Sequence, residues 1–351
     1  MSTELDVSPA ADRRVGARHW AQILLRYRQP SSARSVVELL ITAIPFVLIW
    51  AAMWAVVYFG YWPLCFLLAI PAAGFLVRLF LIQHDCGHGA FFRHRLVNDW
   101  VGRVLGVFTL TPYDVWRKDH AMRHATAGNL DRRGEGGEIR TLTVEEYLAL
   151  PWWRRVQYRL YRHPIVMFAL GPTFVFVLCQ RLPLGSMKAG WVPWASAMAT
   201  NAAIAVIVVG MMWLVGVGPF LLVHGPIMLL AATIGVWLFY VQHQFDEVAW
   251  ARSSNWDMHE AALHGSSYYD LPAVLRWFTA NIGMHHIHHL NSRIPYYRLR
   301  QVLRDHPELG NVGRITLWQS LKLVRLALWD EYQQRMVSFR EARAARRARG
   351  A

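Results

Sequence analysis

Three stretches of this chain, residues 39–59, 195–217 and 219–241, contain no charged side chain. Each is long enough to cross a hydrocarbon core, which needs about 20 apolar residues. Residues 61–77 form a shorter run that Arg78 closes, although residues 79–82 prolong it. Four membrane spans are therefore expected, in two hairpins at residues 35–83 and 195–242. The links Gly60-Tyr61-Trp62-Pro63 and Gly216-Val217-Gly218-Pro219 are turn-rich and uncharged. With 54% hydrophobic and 17% charged residues, the composition excludes an ordinary soluble domain. Little of the remaining sequence alternates apolar and polar residues, so the fold class expected is all-α.

Basic residues stay preferentially on the cytoplasmic side of a membrane. Arg13, Arg14, Arg18, Arg26, Arg28 and Arg34 precede the first span, and Arg340, Arg343, Arg346, Arg347 and Arg349 close the chain. Both ends are expected in the cytoplasm: a basic arm at 1–34 and an Ala/Arg tail at 341–351. The net charge of +14 suits anionic lipid headgroups rather than nucleic acid. Residues 1–29 lack an apolar core, so no cleaved signal peptide is expected and the first span serves as the insertion signal. Of three cysteines, Cys65 and Cys179 lie in apolar segments and Cys86 in a histidine cluster, which argues against a disulfide framework.

A fifth apolar run, residues 164–179, is short, contains Gly171-Pro172 and lies between Arg162 and Arg181. Parity decides its role. If it crossed the bilayer, the histidines after the second span would be parted from those after the last. An interfacial or re-entrant segment is expected instead, leaving two cytoplasmic blocks, 84–194 and 243–351, that form a helical cap.

That cap carries the chemistry. His84-Asp-Cys-Gly-His88 and His120-Ala-Met-Arg-His124 each place two imidazoles on one helix face. His285-His286-Ile287-His288-His289 adds four more. Such density has no packing role, whereas neutral imidazole suits iron, zinc, copper and nickel. Seven or more nitrogens exceed one tetrahedral ion, and no Cys-x-x-Cys pair suggests structural zinc. Two metals is the economical reading, and in lipid two irons would activate dioxygen against an unactivated C–H bond. His243, at the end of the last span, is a further candidate. His264 is a weaker one, and His286 points about 100° from His285, as a second-shell residue would. Asp85, Asp119 and Asn281 are candidates for hydrogen bonds to ligand imidazoles. The isolated His94, His163, His224, His259 and His306 read as ordinary structural residues.

With these residues in place the chain resembles the membrane fatty acid desaturases, whose three boxes read His-x(3,4)-His, His-x(2,3)-His-His and [His/Gln]-x(2,3)-His-His. His84/His88 match the first, and His285/His288/His289 match the third. Gly128-Asn129-Leu130-Asp131-Arg132-Arg133-Gly134, Thr141-Leu142-Thr143-Val144-Glu145-Glu146-Tyr147, Gly265-Ser266-Ser267-Tyr268-Tyr269 and residues 281–297 look like the bacterial Δ12 (omega-6) acyl desaturase branch. The resemblance implies a multi-pass enzyme of the bacterial inner membrane that uses two iron ions, dioxygen and electrons from a separate carrier, such as a ferredoxin or a cytochrome b5-like protein. It implies that His84, His88, His120, His124, His243, His285, His288 and His289 hold the irons, and that a long acyl chain lies in a closed tunnel. No His-Pro-Gly-Gly or Gly-x-Gly-x-x-Gly motif occurs, so no bound haem or flavin is expected.

One position departs from the pattern. The second box should read His-x-x-His-His, but Arg123 precedes His124. Arginine stays protonated and offers no lone pair. The consequences to expect are weakened occupancy of one iron, a shell that recruits His286, or impaired or redirected activity; an outward-turned Arg123 would be harmless. A di-iron hydroxylase, epoxygenase or acetylenase shares the boxes. A non-enzymatic relative is also compatible with Arg123, whereas a metal transporter would need polar groups at mid-span, where these spans carry almost none.

Overall fold

The structure is a computed structural model that describes residues 9–349, with side chains from 16 to 344. The side chains of Arg13, Arg14, Arg346, Arg347 and Arg349, and the outer ends of the basic arm and tail, lie outside it.

Four long apolar helices dominate: Ser32–Tyr58, Leu64–His88, Trp191–Val215 and Val217–His243. They have 25–27 residues, or roughly 38–40 Å at 1.5 Å per residue, so they overrun a hydrocarbon core of about 30 Å. This overrun matters for function, because the second and fourth long helices continue past their apolar stretches to carry His84, His88 and His243. Pro45, Pro71 and Pro226 sit inside the helices without ending them. The first and third helices present exposed apolar faces, among them Ile44, Leu48, Val206 and Trp213, that need a lipid cover.

Arg78 does not close a span. It lies inside the helix Leu64–His88, 2% exposed, and its Nη2 reaches Glu38 Oε2 on the first helix at 2.5 Å. Nε donates to Thr42 Oγ1 at 3.1 Å, Nη1 donates to the Trp277 carbonyl, and the guanidinium lies 4.1 Å from the Trp277 ring centroid. A buried charge is tolerated only when paired and hydrogen-bonded, and this one is both.

The fifth apolar run is broken. Helix Trp152–Tyr161 meets the segment Val166–Arg181 at a 56° bend, and a π-helical turn occupies Val166–Leu170. Phe168 packs against Trp237 and Tyr240 of the last long helix, and Thr233 donates to its carbonyl at 2.7 Å.

The all-α expectation needs correcting: the fold is mostly helical, with two small sheets. Leu142–Thr143 pairs in parallel with Leu326–Asp330, which pairs antiparallel with Arg335–Ser338. Tyr268–Asp270 pairs in parallel with Arg314–Thr316. The hairpin closes where Asp330 Oδ1 accepts from the Tyr332 and Gln333 amides at 2.9 and 3.0 Å. Such strands are too short for period-two patterning to show, and tertiary pairing is what makes them. A reciprocal capping box of Thr143 and Glu146 starts helix Val144–Ala149 at the end of the first strand.

Candidate metal centre

His84 and His88 occupy the last two turns of their helix, which Gly89 ends in the left-handed region at φ 66°. His120 and His124 share one face of helix Tyr113–Thr126. His243 is the last residue of the fourth long helix. His285, His288 and His289 come from the short helix His285–Leu290, which is anchored to the strand beside it: the Tyr269 amide donates to Gly283 O at 2.7 Å and the His285 amide to Ser267 O at 3.2 Å. A Cβ at Gly283 would fall 2.3 Å from Tyr269 O, so only glycine allows this approach.

These eight histidines form two sets: His84, His88, His120, His124 and His288, and, beside them, His243, His285 and His289. The boxes do not map one to one onto the sets, because the third box is divided between them. His124 and His289 stack at 4.0 Å where the sets adjoin.

The nitrogen geometry is that of a ligand shell. His120 Nε2 lies 3.0 Å from His84 Nε2, 3.0 Å from His88 Nε2 and 3.1 Å from His124 Nε2. His288 and His124 Nε2 are 3.2 Å apart, and in the smaller set His285 Nε2 is 3.1 Å from both His243 and His289 Nε2. One ring proton cannot serve three such contacts, and facing lone pairs repel without a cation between them. Two nitrogens each about 2.1 Å from one ion are about 3.0 Å apart at right angles and about 3.4 Å apart in a tetrahedron. The observed spacings are short enough for neighbouring nitrogens to share one ion, and an all-imidazole donor set fits iron.

The surroundings keep these imidazoles neutral. Burial first, then neighbouring imidazoles, holds His120, His124, His285, His288 and His289 well below the usual imidazole range. Asp85 Oδ1 lies 3.1 Å from His84 Nδ1, and its Oδ2 accepts the Tyr296 amide at 2.7 Å. A carboxylate there accepts a hydrogen bond from Nδ1–H, which fixes the tautomer that leaves the Nε2 lone pair free. The Trp116 ring stacks on His120 at 4.6 Å and 12°, a support that no motif announced.

Other candidates sit elsewhere. His286 Nε2 faces the Leu309 carbonyl at 2.9 Å, away from both sets, so the shell does not recruit it. Asn281, in the left-handed region at φ 57°, donates to Tyr296 O at 3.3 Å and orders a turn rather than an imidazole. Asp119 lies beside Gly185, and no hydrogen bond joins it to a histidine among the described residues. His264 belongs to neither set. His224, in mid-span, is satisfied by Trp50 Nε1 at 3.1 Å and Phe220 O at 3.0 Å.

Arg123 turns inward, not outward. Its Nε and Nη2 donate to Gly136 O at 3.0 and 2.6 Å, its guanidinium lies 4.5 Å from the Phe239 ring centroid, and Nη1 is 3.5 Å from His120 Nδ1. Glu138 and Asp119 offset the charge. Burial raises the Glu138 carboxyl to about 7 against the pull of Arg123. Nothing in the sequence marked the loop 134–137 as the clamp on Arg123. Gly136 has φ 67°, and a Cβ there would meet Asp119 O at 2.5 Å and the Arg123 amide nitrogen at 2.6 Å. Gly136→Ala is therefore expected to cost about 1–3 kcal/mol, seen as a lower thermal midpoint in detergent. An unchanged midpoint would show that the loop does not need this conformation.

Comparison with known proteins agrees with this geometry. The family profile described as "Fatty acid desaturase" matches residues 60–320. A fatty acid desaturase of Bacillus subtilis (strain 168) is 42% identical over 315 residues, covering 90% of this chain and 88% of the relative. Two proteins of Synechocystis are more distant: an "sn-1 acyl-lipid omega-3 desaturase (ferredoxin)", 27% identical over 69% of this chain and 68% of its own, and an "sn-1 oleoyl-lipid 12-desaturase", 26% identical over 64% and 63%. A family match across most of the chain, and a relative of that likeness over nearly all of it, make this protein a member of the fatty acid desaturase family of membrane oxidoreductases.

Proposed function

We propose that the protein inserts a cis double bond into a long acyl chain, in the Δ12/omega-6 manner, with the eight histidines of the two sets holding two iron ions. The observation that carries this reading is a largely apolar cavity of about 350 Å³ lined by Phe80, Val175, Phe176 and Met228 together with His84, His120, His243 and His285. A largely apolar cavity that includes the metal-ligating groups in its lining suits an alkyl chain. When bound, the irons with dioxygen would supply the oxidising power: two hydrogens leave adjacent carbons, and two electrons from a separate carrier with two protons complete the reduction of dioxygen to two waters. One relative is named as ferredoxin-dependent, and a basic surface speeds encounter with an acidic carrier.

In this reading the two hairpins, 35–83 and 195–242, anchor the enzyme in the inner membrane. The arm 1–34 and the blocks 84–194 and 243–351 lie in the cytoplasm, the two blocks forming the cap. The convergence of His84 with His288 supports this topology, since an odd number of crossings between them would separate the boxes. The bent segment Val166–Arg181 is then interfacial or re-entrant. Arg123 leaves the smaller set three imidazoles, and activity is impaired or altered accordingly.

The test is the acyl profile of a bacterial host expressing the protein with a co-expressed ferredoxin, beside an empty vector. A new dienoic acid with its double bond at Δ12 is expected; a hydroxylated or acetylenic acid instead would overturn the desaturase reading.

A further inference from the structure

A second concavity, of about 1100 Å³, is lined by Arg159, Arg162, His163, Arg325, Arg340 and Arg343. Its charge is not offset locally. The arginines near the larger histidine set, Arg95, Arg103 and Arg117, are paired with Asp99 and Asp114, whereas no carboxylate lines the recess among the described residues. Five like charges around one concavity focus a positive field, and Arg325, Arg340 and Arg343 are exposed at it. Such a surface attracts an acidic partner.

The recess is also linked to the metal centre. Arg162, its buried member, is 5% exposed. The Arg162 Nη2 donates to Gln244 Oε1 at 3.0 Å, and Gln244 directly follows His243 of the smaller histidine set. Thr141 Oγ1 donates to the same oxygen at 3.2 Å, so this link is held from two sides. One hydrogen bond and the body of Gln244 therefore join the recess to His243, and electrons pass more readily along bonded atoms than across gaps. Arg162, His163 and Pro164 line the recess, while Tyr161, Val166 and Met167, on the same short segment, line the apolar cavity. The two concavities share that wall, so an occupant of the recess does not displace the acyl chain.

We propose that this recess is the docking surface for the electron carrier, a small acidic protein that delivers one electron at a time, with Arg162 and Gln244 linking it to His243. This rests on the desaturase reading, which requires two electrons for each double bond, and adds the surface and the route by which they enter. Each docked carrier leaves oxidised by one electron. Two dockings, together with two protons and the two hydrogens taken from the chain, account for the reduction of one dioxygen to two waters. An anionic lipid headgroup is the competing occupant; charge suits either, but only the carrier has a use for the link to His243.

The experiment places the full, metal-free chain in nanodiscs of phosphatidylcholine and measures the binding of oxidised ferredoxin by thermophoresis at low and high salt. Arg340→Glu with Arg343→Glu is the main variant. Arg300→Glu with Arg304→Glu, the same charge change at exposed positions of helix Tyr296–Asp305, is the control. Ferredoxin is expected to bind, more weakly as salt rises, and the recess variant to weaken it about tenfold or more while the control stays close to wild type. With iron-loaded protein, Gln244→Leu is expected to slow the oxidation of pre-reduced ferredoxin while its affinity is kept, and an unchanged rate would overturn the route through Gln244. Ferredoxin binding indifferent to the recess variant, or weakened equally by the control, would overturn the docking surface. So would phosphatidylglycerol retained by wild type but not by the recess variant in native mass spectrometry, with ferredoxin bound equally by both. Arginine-dependent ferredoxin binding without any desaturated product in the host would leave the inference standing and remove the desaturase reading instead.

Discussion

Replacing Arg123 by histidine is expected to raise the occupancy of the second iron in purified, metal-loaded protein, from below two ions per chain to about two. The five-histidine set already offers enough nitrogens for one ion. The three-histidine set has His243, His285 and His289 alone, with a guanidinium nearby whose charge bears on His289 and on His120 across the adjoining set. A cation close to a second cation's ligands opposes its binding, and arginine contributes no lone pair in return. An imidazole at 123 lies on the same helical turns as His120 and His124 and restores the family's second box. Elemental analysis of wild type and Arg123→His side by side reads this without any turnover. Two irons on both proteins would show that Glu138 and Asp119 neutralise Arg123 well enough for the site to ignore it. Dienoic acid in the host should rise with the second iron, by tenfold or more if about 1.4 kcal/mol of barrier depends on it.

The second large effect lies between the first two long helices. Glu38→Ala would strand the Arg78 guanidinium inside the helix pair, and breaking a buried pair from one side costs about 3–5 kcal/mol. The thermal midpoint in detergent should fall by more than about 5 °C. Thr42, the Trp277 carbonyl and the Trp277 ring remain as partners, but none carries the compensating charge. Tyr296 donates to Glu38 Oε2 at 3.2 Å, and its amide donates to Asp85. The variant should therefore loosen the support of His84 as well and lower metal retention. Glu38→Leu combined with Arg78→Met should recover most of the stability, since apolar replacement of both partners is often neutral. A single variant as stable as wild type would mean that lipid headgroups or water reach Arg78.

Much of this organisation is legible from residue order. The four apolar helices, the three histidine clusters and the candidacy of His243 follow from run length and i, i+4 spacing, because those are local properties of a chain in lipid. What residue order left undecided was partnership. Arg78 interrupts a run that residues 79–82 prolong, and nothing near it in sequence offers a partner; Glu38, forty residues earlier, is the one it finds. His286 and Asn281 carry the right chemistry but face Leu309 and Tyr296, and nothing in the pentapeptide or the turn announces that orientation. The strand pairs escaped notice because two to five residues cannot display a period of two.

Residue order by itself determined that this chain is a helical membrane protein with imidazoles enough for two metals, since hydrophobic length and ligand spacing are short-range quantities. Only the tertiary structure decided how those imidazoles divide into five and three, that Arg123 turns inward onto Gly136 and Phe239, and that an arginine-lined recess adjoins the apolar cavity. Each of those depends on groups 13 or more positions apart being brought together, and side-chain direction at such contacts is set by packing rather than by sequence neighbours.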